Sequence, residues 1–97
     1  MTRAIKMYSK VGVFAENKDV AQQIRVHELI PLLEKGDEIV IDFENVESAT
    51  QSFMHALISD LIRRYGVDVL DRIIFKNCND TIKKIITIVT EYMQQED

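Results

Sequence analysis

"DEIVIDFENVESATQSFMHAL", residues 37–57, decides the fold. Ile39, Val40 and Ile41 form a short continuous apolar run, which reads as a central strand covered on both faces. Ser48, Thr50 and Ser52 then place hydroxyls where a helix begins. From Phe53 the period changes. Phe53, Leu57, Leu61 and Tyr65 fall on one helical stripe, with Ala56 and Ile58 beside it, and Gly66 marks the end. A buried strand feeding directly into an amphipathic helix is the repeating unit of an α/β fold.

The same alternation continues on both sides. Upstream, "KDVAQQIRVHELIPLLEKG" (18–36) sets Val20, Ile24 and Leu33 near one helical face, with Ile30 added to it. Asn17 suits the N-cap, Asp19 suits the positive first turn, and Gly36 suits the stop. Pro31 removes a backbone donor and crowds the preceding turn, which predicts a kink, or a helix that stops near Leu29 and restarts at Pro31. Before that, "AIKMYSKVGVF" (4–14) alternates through Ile5 and Met7, breaks near Ser9, and resumes at Val11, Val13 and Phe14. It reads as one bent strand or a small hairpin.

Downstream, "RIIFKN" (72–77) is a second short buried strand. Asn79 and Asp80 open the next helix, whose apolar face is Ile82, Ile85, Ile86, Val89 and Met93. The polar end, 94–97, is expected to fray. The order of elements implies parallel pairing and right-handed crossovers in one small, mixed or largely parallel sheet packed with about three helices. With all helices on one face, the other would need cover from the N-terminal strands or a partner.

Composition sets outer limits. The 97 residues are expected to make a single domain, 1–97. No apolar run is long enough to cross a bilayer, and the start lacks a signal-peptide core, so the expectation is a cytoplasmic protein without membrane contact. The net charge of -4 argues against a general nucleic-acid binder, which needs clustered Lys and Arg to neutralise phosphates. Cys78 is alone, and His27 and His55 lack ligand-spaced partners, so no metal and no cofactor are expected.

"IVIDFENVESATQSFMHAL", together with "AENKDVA" upstream and "RIIFKNCNDTIKKII" downstream, resembles the STAS-like domain of unknown function. The resemblance runs from Lys6 to Tyr92, and its most specific pieces are Ile41-Asp42-Phe43 and Gln51-Ser52-Phe53. That family is similar to the anti-sigma-factor antagonist STAS domains. The resemblance implies an α/β sandwich, a bacterial or phage origin and a non-catalytic regulatory role in signalling. It also implies a protein partner, with a histidine-kinase-like ATPase as the candidate. In the classical antagonists an Asp, a phosphorylated Ser or Thr and a Gly follow in the turn after the central strand. Here those positions fall on Thr50, Gln51 and Phe53, and Gln51 cannot accept a phosphate.

The candidate residues follow. Ser48, Thr50, Gln51, Ser52 and Met54 are the expected partner contacts, and Ser52 and Thr50 the remaining candidate phosphoacceptors. A phosphate at a helix N-terminus would meet unpaired N–H groups and the positive dipole end. The plainer reading is that Ser48 or Thr50 caps the helix, with Ser48-x-x-Gln51 matching a capping box. An exposed Phe53 or Met54 would mark a protein-binding face. A second function class is a small-molecule or nucleotide sensor in which Asp42, Ser52 and Asn77 meet at the carboxyl edge of the sheet. Against it stands the common use of Asp and Asn to tie down turns. A third is a self-associating scaffold, a homo-oligomer. No independent enzyme is expected: Asp42, Glu44 and Glu47 have no fixed separation, Ser52 with His55 makes no triad, and no nucleophile elbow or phosphate loop is present. The basic residues Arg63, Arg64, Arg72, Lys76, Lys83 and Lys84 read as a solvated surface, with Asp60 placed to pair with the first two.

Overall fold

The computed structural model describes residues 2–95. β1 (Thr2–Lys6) leads through one helical turn, α1 (Tyr8–Val11), to β2 (Phe14–Ala15). A long helix follows: α2 (Lys18–Ile24), a π-helical turn (Arg25–Leu29) and α3 (Ile30–Glu34). Then come β3 (Glu38–Asp42), β4 (Ser48–Ala49), α4 (Gln51–Tyr65), a 3₁₀ segment (Val67–Arg72), β5 (Ile73–Lys76) and α5 (Asp80–Gln95). The tail expected to fray is helical through Gln95, and residues 96 and 97 lie outside the described residues.

The fold is α/β with parallel sheets. β1, β3 and β5 form one parallel sheet in that order, with Ala4 beside Val40 and Val40 beside Ile74. The expected single sheet is in fact two, because β2 pairs in parallel with β4 as a separate two-stranded sheet. The N-terminal segment is neither a bent strand nor a hairpin. Val11 and Gly12 close a helical turn on Met7 and Tyr8, and Gly12 takes φ 72°, which carries the chain out of the first sheet into the second. Met7 is buried by that crossing.

β3 is central, but only one of its faces is covered. Ile39 and Ile41 are fully buried, together with Ile5 and Ile73 from the flanking strands. On the other face Val40 is half-buried, and Ala4 and Ile74 are exposed. The expectation of two covered faces fails for a topological reason. The order β1-β3-β5 advances in one direction, and two right-handed crossovers in one direction put their helices on the same side.

The α-helix does give way before Pro31, but to a π-helical turn and not to a break, and it resumes at Ile30. Backbone angles stay right-handed through Ile24, Arg25, Leu29 and Ile30, and the Ile30 N–H donates to the Arg25 carbonyl, five residues back. A π turn accommodates a residue that cannot donate and whose ring would strike the carbonyl four residues earlier. It also resets the apolar face. An α-helix turns about 100° per residue, so Ile24 and Leu33 would lie on opposite sides of a regular one. One extra residue in the wide turn brings them to within about a quarter turn of each other, and Ile24, Leu29 and Leu33 are all buried, with Val20 and Ile30 only partly so. The helix ends as Gly36 (φ 84°) and Asp37 return their N–H groups to the carbonyls of Leu33 and Leu32. Arg72 adds a second lock, donating to the carbonyls of Leu33 (2.7 Å) and Asp37 (3.1 Å). It is a structural tie and not part of a solvated basic surface.

Candidate functional site

Two places gather the polar residues singled out above, and they do not coincide. The first is the carboxyl edge of the three-stranded sheet. Asp42 Oδ1 accepts from Asn77 Nδ2 at 3.0 Å and from the Glu44 N–H at 2.9 Å. These two bonds, the Asn77 amide first, hold the Asp42 carboxyl below the usual carboxylate range, with Lys76 and Lys6 adding attraction from the neighbouring strands. Asn77 (φ 57°) and Asn45 (φ 70°) take the left-handed turn conformation that Asn tolerates. Asn79 caps α5 through the Ile82 N–H and reaches back to the Glu47 carbonyl. Every one of these bonds fastens a turn.

The expected triad is not assembled there. Asp42 and Asn77 meet, but Ser52 makes no hydrogen bond to either among the described residues and lines a different cavity. The sheet order also removes the usual reason for a ligand crevice. Crevices open where the strand order reverses, and β1-β3-β5 has no reversal.

The second place is the start of α4. Thr50 is the N-cap: its Oγ1 accepts from the Phe53 N–H at 3.0 Å, and its own N–H donates to the Ala15 carbonyl at 2.9 Å. The Ser48–Gln51 capping box does not form, because Ser48 is already extended in β4 beside Phe14. Thr50 is half-buried, whereas Gln51 and Ser52 are exposed. Among the described residues the Gln51 and Ser52 N–H groups have no acceptor, as expected in the first turn of a helix.

Met54 and Phe53 are both fully buried, which removes Met54 as a partner contact. The cause is the width of the apolar face. Phe53, Met54, Leu57, Ile58, Leu61 and Ile62 are all buried, so α4 packs on two sides, against α2 and against α5. Arg25 stitches the first contact by donating to the Ala56 carbonyl and pairing with Asp60 at 3.2 Å. Asp60 also pairs with Arg63 at 3.2 Å.

Gln51 and Ser52 open instead on a cleft of about 540 Å³ between α4 and α5. Ala56 and Val89 line it, with His55 and Lys18 also bordering it. Its outer wall is Ile88, 38% exposed, and Tyr92, 56% exposed. The Tyr92 and His55 rings lie 6.0 Å apart in a tilted arrangement. Ile88 and Tyr92 are not among the residues that the sequence pattern singles out. The available signal was the pair Ile88 and Tyr92, four residues apart and off the buried Ile82–Val89–Met93 stripe.

A smaller cavity near Asn77 is lined by Phe75, Cys78 and Lys83. Burial pushes the Cys78 thiol up despite Lys83 nearby, so the thiol is disfavoured as a thiolate nucleophile. Among the described residues no cluster of His, Cys, Asp or Glu has the arrangement of a metal site, and no helix is long and apolar enough to cross a membrane.

No curated protein and no solved structure matches the chain. The sequence profile of the STAS-like domain of unknown function matches residues 20–83, from α2 into the first turn of α5. The match includes the α4 wall of the cleft and leaves Lys18, Ile88 and Tyr92 outside it. With more than half of its length matched and an α/β fold of parallel sheets, this chain belongs to the family of STAS-like domains of unknown function.

Proposed function

We propose that this chain is a non-catalytic regulatory module that binds a protein partner through the first turn of α4 and the cleft beside it. One observation carries the reading: Ser52 and Gln51, exposed and without side-chain hydrogen bonds among the described residues, border a cleft walled by exposed Ile88 and Tyr92. Exposed apolar side chains rimmed by free polar groups have the composition of an interface core and rim. Kinship to the STAS domains makes a histidine-kinase-like ATPase the first partner to test. The module would work by occluding that partner or selecting one of its conformations, in the cytoplasm of a bacterial or phage-infected cell. Ser52 is the better of the two candidate phosphoacceptors, since the Thr50 hydroxyl is committed to its cap.

The test is calorimetric titration of the chain into a histidine-kinase-like ATPase from the same genome. Binding is expected to weaken about tenfold with Tyr92→Ala and measurably with Ser52→Glu. Both sites are exposed, so both variants should keep the wild-type melting temperature. Undetectable binding, or binding indifferent to both changes, rejects the proposal. Mass spectrometry of protein from native cells tests Ser52 phosphorylation separately.

The open sheet face favours a second reading, self-association. Ala4, Val40 and Ile74 form one apolar row across the three strands, with Ile74 50% exposed. Sedimentation of wild type against Ile74→Lys tests it: a dimer lost in the variant supports it, and a monomer at all concentrations rejects it.

A further inference from the structure

The cleft is a trough between two helices, and its chemistry restricts what fits. From α4 it is lined by Gln51, Ser52, His55 and Ala56, and from α5 by Ile88, Val89 and Tyr92. Both sets repeat at a spacing of four, so the walls are side-chain ridges, with no free strand edge to extend. That geometry suits a third helix laying apolar anchors into the trough. It does not suit a peptide that binds by adding a strand.

Charge identifies the helix further. The chain carries a net charge of -4, yet among the described residues the single formal charge lining the cleft is Lys18. Lys18 makes no ion pair among the described residues. It is also the first residue of α2, where the helix dipole disfavours a cation. Gln51 and Ser52, in the first turn at the positive end of α4, line the same cleft. Asp19 answers the dipole of α2 in the same turn but lines a different cavity, so a carboxylate arriving at the cleft would meet the Lys18 charge.

We infer that the trough between α4 and α5 receives an amphipathic helix of the partner protein. Its apolar side chains lie over Ala56, Ile88 and Tyr92, and an acidic residue meets Lys18. The inference rests on the docking reading above and adds the chemistry of the docking element.

The test uses three synthetic peptides and fluorescence anisotropy. The first is an amphipathic helix with Leu at i, i+3, i+4 and i+7 and Glu at the edges of that stripe. The second replaces each Glu by Lys, and the third places two Pro residues in the centre of the first. The acidic helix is expected to bind at least tenfold more tightly than either control. Ile88→Asp is expected to abolish that binding. Lys18→Glu should weaken it about fivefold and improve binding of the Lys peptide, a reversal that lost packing alone would not produce. Equal binding of all three peptides, absence of binding, or indifference to both substitutions overturns the inference. If the acidic helix binds as described but the ATPase does not, the choice of partner fails and the trough stands. If the ATPase binds but ignores Lys18→Glu and Ile88→Asp, the docking reading survives and the helix-in-trough inference fails.

Discussion

The two faces of the three-stranded sheet are made by the same strands and have opposite fates. Ile5, Ile39, Ile41 and Ile73 point into the helices and are buried, while Ala4, Val40 and Ile74 alternate with them and face away. The open face is bordered by the row Lys6, Asp42 and Lys76, in which opposite charges sit on neighbouring strands. An apolar run such as Ile39-Val40-Ile41 therefore does not reveal how many of its faces will be covered. Strand order and crossover hand decide that, and they do so for the whole sheet at once.

The sharpest way to break the contrast lies in the helix layer that covers the packed face. Met54→Asp buries a charge without a partner, and a loss of more than about 4 kcal/mol in urea unfolding is expected. A near-native melting curve would mean that α4 does not pack as described. Next comes the direct comparison. Ile41→Ala should cost about 2–5 kcal/mol, whereas Ile74→Ala on the open face should cost about 1 kcal/mol or less. Similar losses in dilute, monomeric protein would show that both faces are packed.

A smaller contrast separates two hydroxyls at the head of α4. Thr50→Ala removes the cap on Phe53 and should cost about 1 kcal/mol, while Ser52→Ala should stay within about 0.5 kcal/mol. The smallest effect belongs to Asp42. Its carboxyl titrates below the ordinary value of 3.8 because Asn77 and the Glu44 N–H favour the charged form. A depressed folded pKa gives stability that is fully present above the unfolded value and lost as pH falls through the folded one. The melting-temperature gap between wild type and Asp42→Asn should be constant above about pH 5 and shrink below about pH 4. A gap independent of pH would show that the charge contributes nothing.

Much of the site was legible residue by residue, and little of it as an arrangement. Asn17, Asn79 and Thr50 act as caps, because capping depends on a side chain and a backbone donor two or three residues away. Ser48 was equally eligible by that local rule. Its pairing with Phe14, 34 residues earlier, removed it. The π turn at Arg25–Leu29 was signalled by Pro31, but its consequence, the burial of Leu29 beside Ile24 and Leu33, follows only from the changed helical phase. The cleft was hidden because its walls lie on helices about 30 residues apart in sequence, and no local period links Ser52 to Tyr92.

The sequence by itself determined the order of β1, α2, β3, α4, β5 and α5, the stripes of α4 and α5, the caps at Asn17 and Asn79 and the stops at Gly36 and Gly66. All are short-range consequences of side-chain period, backbone donors and the φ preferences of Gly, Asn and Pro. Only the tertiary structure decided that the strands divide into two sheets, that one face of the larger sheet stays open, that Met54 is buried and that Ser52 lines a cleft with Tyr92 and not with Asp42. Those outcomes depend on strand order and on which helix flanks meet, where contacts distant in sequence compete for the same surface.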